Sequence, residues 1–151
     1  MNYEKPQHIG AFFYPRSYSQ LLMKFSIVVY SPPYSTEAAL TAFNFCRALL
    51  DQGHELYRLF FFGDGVHNAN RLAVVAQDES NLQQQWHQLI IEYDLDSVVC
   101  VSSAIKRGLL NASESRRYEL DAISLNDSSD IAGLGQLIDA TMKSERVINF
   151  G

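Results

Sequence analysis

The sequence predicts an α/β fold of three layers, a mostly parallel sheet with helices on both faces. Two observations carry this. Short apolar runs such as "SIVVY" and "LFFF" lack the alternation of a strand with one wet face. These runs are separated by stretches with helical period, and strand–helix alternation is the pattern of parallel sheets covered on both sides.

Phe25–Tyr30 reads as the first buried strand. Thr36–Gln52 then carries Ala38, Ala42, Phe45, Cys46 and Leu49 on one helical stripe and stops at Gly53. Glu55–Phe62 is a second strand, followed by the loop "GDGVHNAN", in which Asn68 and Asn70 are expected to hydrogen-bond the turn backbone. Leu82–Tyr93 is helical, with Leu82, Trp86, Leu89, Ile90 and Tyr93 on one face. Ser97–Val101 is a third strand, and a short helix over Ser103–Arg107 is expected after it, capped by Ser102 and stopped by Gly108. A short helix near Ser113–Leu120, a helix over Asp130–Lys143 and a last strand, Arg146–Phe150, complete the reading.

A chain of 151 residues, 47% of them hydrophobic, suffices for one domain with a sizeable core. Residues 23–151 are read as that domain. Residues 1–22, interrupted by Pro6, Gly10 and Pro15, keep no period and are read as an N-terminal extension: an upstream start, an expression scar or an ordered arm. A net charge of −5 gives no basic field for a phosphate backbone, so direct nucleic-acid binding is not expected. The apolar runs are far shorter than the roughly 20 residues of a membrane helix, so no membrane association is expected. Two cysteines cannot build a disulfide framework and no signal peptide opens the chain, which points to a cytoplasmic protein.

Ligands of open α/β sheets gather beyond the carboxyl ends of the strands. Three loops lie there: "SPPYST", "GDGVHNAN" and "CVSSAIKRG". The first lacks the glycines of a phosphate-binding turn, and the second lacks the third glycine of a dinucleotide fingerprint. His8, His54, His67 and His87 have no metal-ligand spacing, and no metal site is expected. His54 falls on the opposite edge; His67 falls on the same edge as these loops without an identified partner. Cys46 lies on a helical stripe, where burial as an inert small hydrophobe accounts for it. Cys100 closes the third strand just before a helix start, with Lys106 and Arg107 one turn on. That setting favours thiolate, although spacing alone leaves a buried strand cysteine equally open. A helix N-terminus supplies roughly 0.3–1 kcal/mol, less than one pKa unit, so the dipole needs help from the basic pair or from a docked partner.

The ordered stretches "FSIVVYSPPYST", "AFNFCRALLDQGHEL", "FFFGDGVHNANRL", "CVSSAIKRG", "IAGLGQL" and "RVINF" resemble the DsrE family, and within it the TusD branch of the TusBCD sulfur relay. The resemblance implies that Cys100 is the persulfide acceptor and that Cys46 has no such role. Ser102, Ser103, Lys106 and Arg107 become the groups that could stabilise its anion. It further implies TusB-like and TusC-like subunits in a heterohexamer, a TusA-like sulfur donor and a TusE-like acceptor. The sulfur would serve 2-thiolation of transfer-RNA wobble uridine, with no cofactor. Two alternatives stand beside it: a DsrE-type subunit of sulfur oxidation, and a noncatalytic assembly subunit. A nucleotide-binding α/β module is disfavoured by the missing phosphate loop.

Overall fold

The computed structural model describes residues 21–151. The reading of residues 1–22 as an extension lies almost wholly outside them. Five strands form one all-parallel sheet in the order β4-β3-β2-β1-β5. They are β1 (Lys24–Val29), β2 (Glu55–Phe61), β3 (Ser97–Cys100), β4 (Asp130–Ala132) and β5 (Arg146–Phe150). The helices are α1 (Ala38–Asp51), α2 (Leu82–Glu92), α3 (Val101–Ile105), α4 (Ala112–Arg117) and α5 (Gly135–Lys143).

This order fixes the layers. Crossovers between parallel strands are right-handed, so successive steps in one direction, β1 to β2 to β3, put α1 and α2 on one face. The return from β4 to β5, on the far side of β1, puts α5 on the other. Alternation along the strands divides the core in the same way. Ile27, Val29, Leu59, Phe61 and Val99 face α1 and α2 in the larger cluster, while Val28, Phe60, Val98 and Cys100 form a smaller one, against which Leu137 of α5 packs. In the larger cluster the Trp86 ring stands edge-on to Phe43 and Phe61, with centroids at 5.1 and 5.5 Å. Such pairs contribute roughly 0.5–1.5 kcal/mol each beyond their buried area.

Several elements differ from the sequence reading. The segment expected to be one helix from Asp130 opens as strand β4, and α5 starts only at Gly135. Three residues are too few to display a strand period, and Gly133 and Gly135 disfavour a continuous helix. The third strand ends at Cys100, so α3 starts two residues early and Cys100, not Ser102, holds the N-cap position. The loop "GDGVHNAN" is wound into a 3-10 turn, Gly63–Ala69. Helix α1 buries Ala39 and Phe43 along with Ala42, Cys46 and Leu49, while Phe45 packs at the rim against Phe25 and Phe150. Tyr93 is the exposed C-cap of α2 instead of part of its buried face.

Candidate functional site: a cysteine at the carboxyl edge of the sheet

Cys100 is the last residue of β3, in register with Ala132 of β4, and its side chain belongs to the α5 face. Its sulfur has 0% exposure. The cover is thin, because Ser102, whose Oγ lies 3.4 Å from Sγ, is itself exposed. The chain turns from strand into helix at Cys100, with φ −61° and ψ 119°. A side chain at an N-cap ordinarily accepts from the second and third amides of the helix, here those of Ser102 and Ser103, but the Cys100 side chain makes no such capping hydrogen bond.

These groups set the acidity of the thiol. Burial pushes Cys100 up, but the hydroxyls of Ser102 and Ser103, together with their backbone amides, outweigh it and leave the pKa below the ordinary thiol value. Cys46, at 0% exposure inside the α1 stripe, has burial alone and is pushed up to about 12. Two thiols of equal exposure thus have opposite chemistry. Cys100 is the one of the two whose surroundings favour ionisation, and thiolate is the nucleophilic form.

The 3-10 turn after β2 builds the adjoining wall. Gly65 lies against the end of β1, where an added Cβ would come within 1.9 Å of the Val29 carbonyl oxygen. Asn68 is buried and donates from Nδ2 to the carbonyls of Ser31 and Gly65, each at 2.9 Å. Asn70 Oδ1 accepts from the Leu72 amide. Both asparagines therefore hold backbone, as the sequence suggested. The amide of Gly63 donates to Ser103 Oγ at 3.1 Å and joins this turn to α3.

The basic pair is divided. Arg107 turns to Asp64, with Nε at 2.6 Å from Oδ1, and donates from Nη1 to the Ser103 carbonyl at 3.3 Å. Its charge is matched by a carboxylate and is not aimed at the sulfur. Lys106 is exposed, and among the described residues no ion pair holds it. His67 sits half-buried in the 3-10 turn. His54 lies at the opposite edge, accepting from the Met23 amide and packing on Phe25. Among the described residues, no group of three or more His, Cys, Asp or Glu converges as a metal site. Asp64 and the Gly63 amide escaped the sequence reading. A "GDG" after a strand marks a turn, but nothing local in it shows that the turn reaches Ser103.

The fold and site define a parallel α/β protein with one acidic cysteine at a strand end, a class suited to sulfur transfer. The chain belongs to the DsrE/DsrF-like family, which residues 23–150 match. The sulfurtransferase TusD homolog of Pseudomonas aeruginosa is 43% identical over 129 residues, covering 85% of this chain and 98% of that protein. A protein of Allochromatium vinosum carried under a sulfurtransferase name, DsrE, is 39% identical over 129 residues, covering 85% and 99%. At this identity over most of both lengths the enzyme class carries over, and the protein is a sulfurtransferase. The crystal structure of the ychN protein from E. coli shares the fold, with a TM-score of 0.69 at 23% identity, covering 85% of this chain and all of that one. No helix among the described residues is long and apolar enough to cross a membrane.

Proposed function

We propose that Cys100 carries the sulfur, as the persulfide-bearing residue of one subunit in a cytoplasmic sulfur relay. The observation that supports this most is the contrast between the two thiols: Cys100 is held below the ordinary pKa by Ser102 and Ser103, and Cys46 is held near 12. The thiolate attacks the outer sulfur of a donor persulfide. A new S–S bond forms to Cys100, the old one breaks, and its electron pair leaves on the donor cysteine as thiolate. The persulfide proton remains with the transferred sulfur, and the transfer needs no external oxidant or reductant. A second attack, by the acceptor's thiolate on the outer sulfur, regenerates Cys100. Because the sulfur is covered in the isolated chain, the donor has to part the Ser102 side of that cover as it docks.

The relationship to the Pseudomonas protein supports a TusA-like donor, a TusE-like acceptor and an assembly with TusB-like and TusC-like subunits, with wobble-uridine thiolation as the destination. The Allochromatium relative, at similar identity, favours the second reading, a DsrE-type role in sulfur oxidation. Mass spectrometry of peptides after exposure to a protein persulfide donor tests the residue. One added sulfur is expected on the Cys100 peptide, abolished by Cys100→Ser and retained by Cys46→Ser. Sulfur on Cys46 alone would overturn the proposal. Loading from a TusA-like as against a sulfur-oxidation donor separates the two pathways.

A further inference from the structure

Between the end of the 3-10 turn and the start of α2 lies a cavity of about 170 Å³. Asn70, Arg71, Asn81, Gln83, His87 and Asn126 line it, and among the described residues no carboxylate does. Hydrogen bonds fix which way three of the amides face. The Tyr34 hydroxyl accepts from the Leu82 amide at 3.0 Å, so its own proton goes to Gln83 Oε1, 2.6 Å away. Asn70 Oδ1 accepts from the Leu72 amide and Asn81 Oδ1 from the Gln84 amide, both at 2.9 Å. Each oxygen is thus committed, and each amino group is turned from that partner. Asn81 uses its amino group on the Ala73 carbonyl at 3.4 Å. Those of Asn70 and Gln83 meet no acceptor among the described residues, although Gln83 is only 5% exposed. A buried donor left in that state costs free energy, so the Gln83 amino group needs an acceptor held in the cavity.

The charge in the cavity has the matching sign. Arg71 donates from Nε to the Ile123 carbonyl at 3.0 Å, and among the described residues neither its Nη groups nor its charge has a partner. His87 is held at Nδ1 by Ser128 Oγ at 2.8 Å, which leaves Nε2 free. The opposing carboxylate is Asp127, 3.9 Å from the same Nδ1 and almost fully in solvent, where its field is weakest. The first turn of α2, which contains Gln83, adds the positive end of a helix dipole. We propose that this cavity binds a compact tetrahedral oxyanion of the phosphate or sulfate kind, with Arg71 supplying charge and the amino groups of Asn70 and Gln83 supplying direction. Four acceptor oxygens suit donors arriving from the turn, the loop after it and α2, where a carboxylate offers two. The volume falls below the roughly 300–1,000 Å³ of sites for larger organic ligands. Cys100 lies in the α5-side cluster and lines no part of this cavity, so the site stands whether or not Cys100 carries sulfur.

NMR of the isotope-labelled full chain tests this, with potassium phosphate, sulfate and acetate each titrated against potassium chloride at constant ionic strength. The side-chain amino signals of Gln83 and Asn70 and the Nε–H signal of Arg71 are expected to shift along one saturable curve with phosphate or sulfate. Asn70→Asp keeps the oxygen that accepts from Leu72 and replaces the amino group by a negative oxygen, so it should abolish binding. Arg71→Gln should weaken it about tenfold or more, the usual loss for a hydrogen bond to a charged group. Arg71→Gln also carries the comparison if Asn70→Asp does not fold. Arg116→Gln removes an exposed charge outside the cavity and should leave binding unchanged. Shifts that never saturate, or that chloride reproduces, would overturn the site. So would affinity that survives Asn70→Asp and Arg71→Gln, or that falls equally in Arg116→Gln. Tighter binding of acetate than of phosphate and sulfate would overturn the tetrahedral class.

Discussion

Gly65 touches the backbone of Val29 so closely that a methyl group on it would lie 1.9 Å from the Val29 carbonyl oxygen. That oxygen also accepts from the Phe62 amide at 3.0 Å and cannot withdraw freely. Gly65→Ala is therefore expected to push the 3-10 turn outward, at a cost of about 1–3 kcal/mol typical of overpacking. Thermal unfolding should show the loss. The same displacement draws the Gly63 amide from Ser103 Oγ and loosens the turn from α3. A parent-like melting temperature would mean that the turn yields without strain.

The two thiols should titrate in opposite directions from the ordinary value. Thiolate absorbance should show an early step that disappears in Cys100→Ser and a late one, near 12, that disappears in Cys46→Val. The signs for stability follow. Cys46 holds its proton more tightly when folded, so its contribution is complete below the unfolded thiol pKa and is lost as pH rises towards 12. Cys46→Val should consequently flatten the alkaline fall in stability measured by denaturant. Cys100, with a lowered folded value, contributes above the unfolded pKa and loses that contribution as pH falls through the folded one.

Asp139 should govern part of the acid response. Hydrogen bonds from Lys143 and Tyr57, partly opposed by desolvation and joined by Arg58, lower its carboxyl to about 2. A carboxylate with a lowered folded pKa stabilises above its unfolded value and loses this as pH falls towards 2. Asp139→Asn should reduce stability at neutral pH and make the acid side of the pH–stability curve shallower. Identical curves for variant and parent would show that Asp96, at 2.6 Å, and the Gln136 carbonyl, at 2.8 Å, hold the Arg58 guanidinium without it.

A chain beginning at Met23 is expected to fold and to load sulfur like the full chain. β1 starts at Lys24, and Met23 is fastened by its amide to His54 Nδ1 and by its carbonyl to the Glu55 amide. Insolubility or a large fall in melting temperature of this truncation would make residues 1–22 part of the domain.

The elements with several turns or a continuous apolar run were legible in the sequence. Trp86, Leu89 and Ile90 mark the buried face of α2 because one sheet face dictates a helical period. β4 was not legible, since Asp130, Ile131 and Ala132 become a strand only through pairing with Val98, Val99 and Cys100. Cys100 was legible by its place between strand and helix. The direction of Arg107 was not, because it depends on Asp64, 43 positions away, reaching the same corner.

The sheet order also has a consequence for synthesis. β5 pairs with β1 from Phe25 with Arg146 through Val29 with Phe150, so among the described residues the first strand made receives its outer neighbour last. Until residues 146–150 are made, Ile27, Val28 and Val29 present an apolar strand with one unpaired edge, the kind of edge that recruits other chains. The nascent domain cannot close that edge until residues 146–150 have left the exit tunnel. Chains stalled before that point should be bound by chaperones that recognise extended apolar segments, and release should coincide with the arrival of β5.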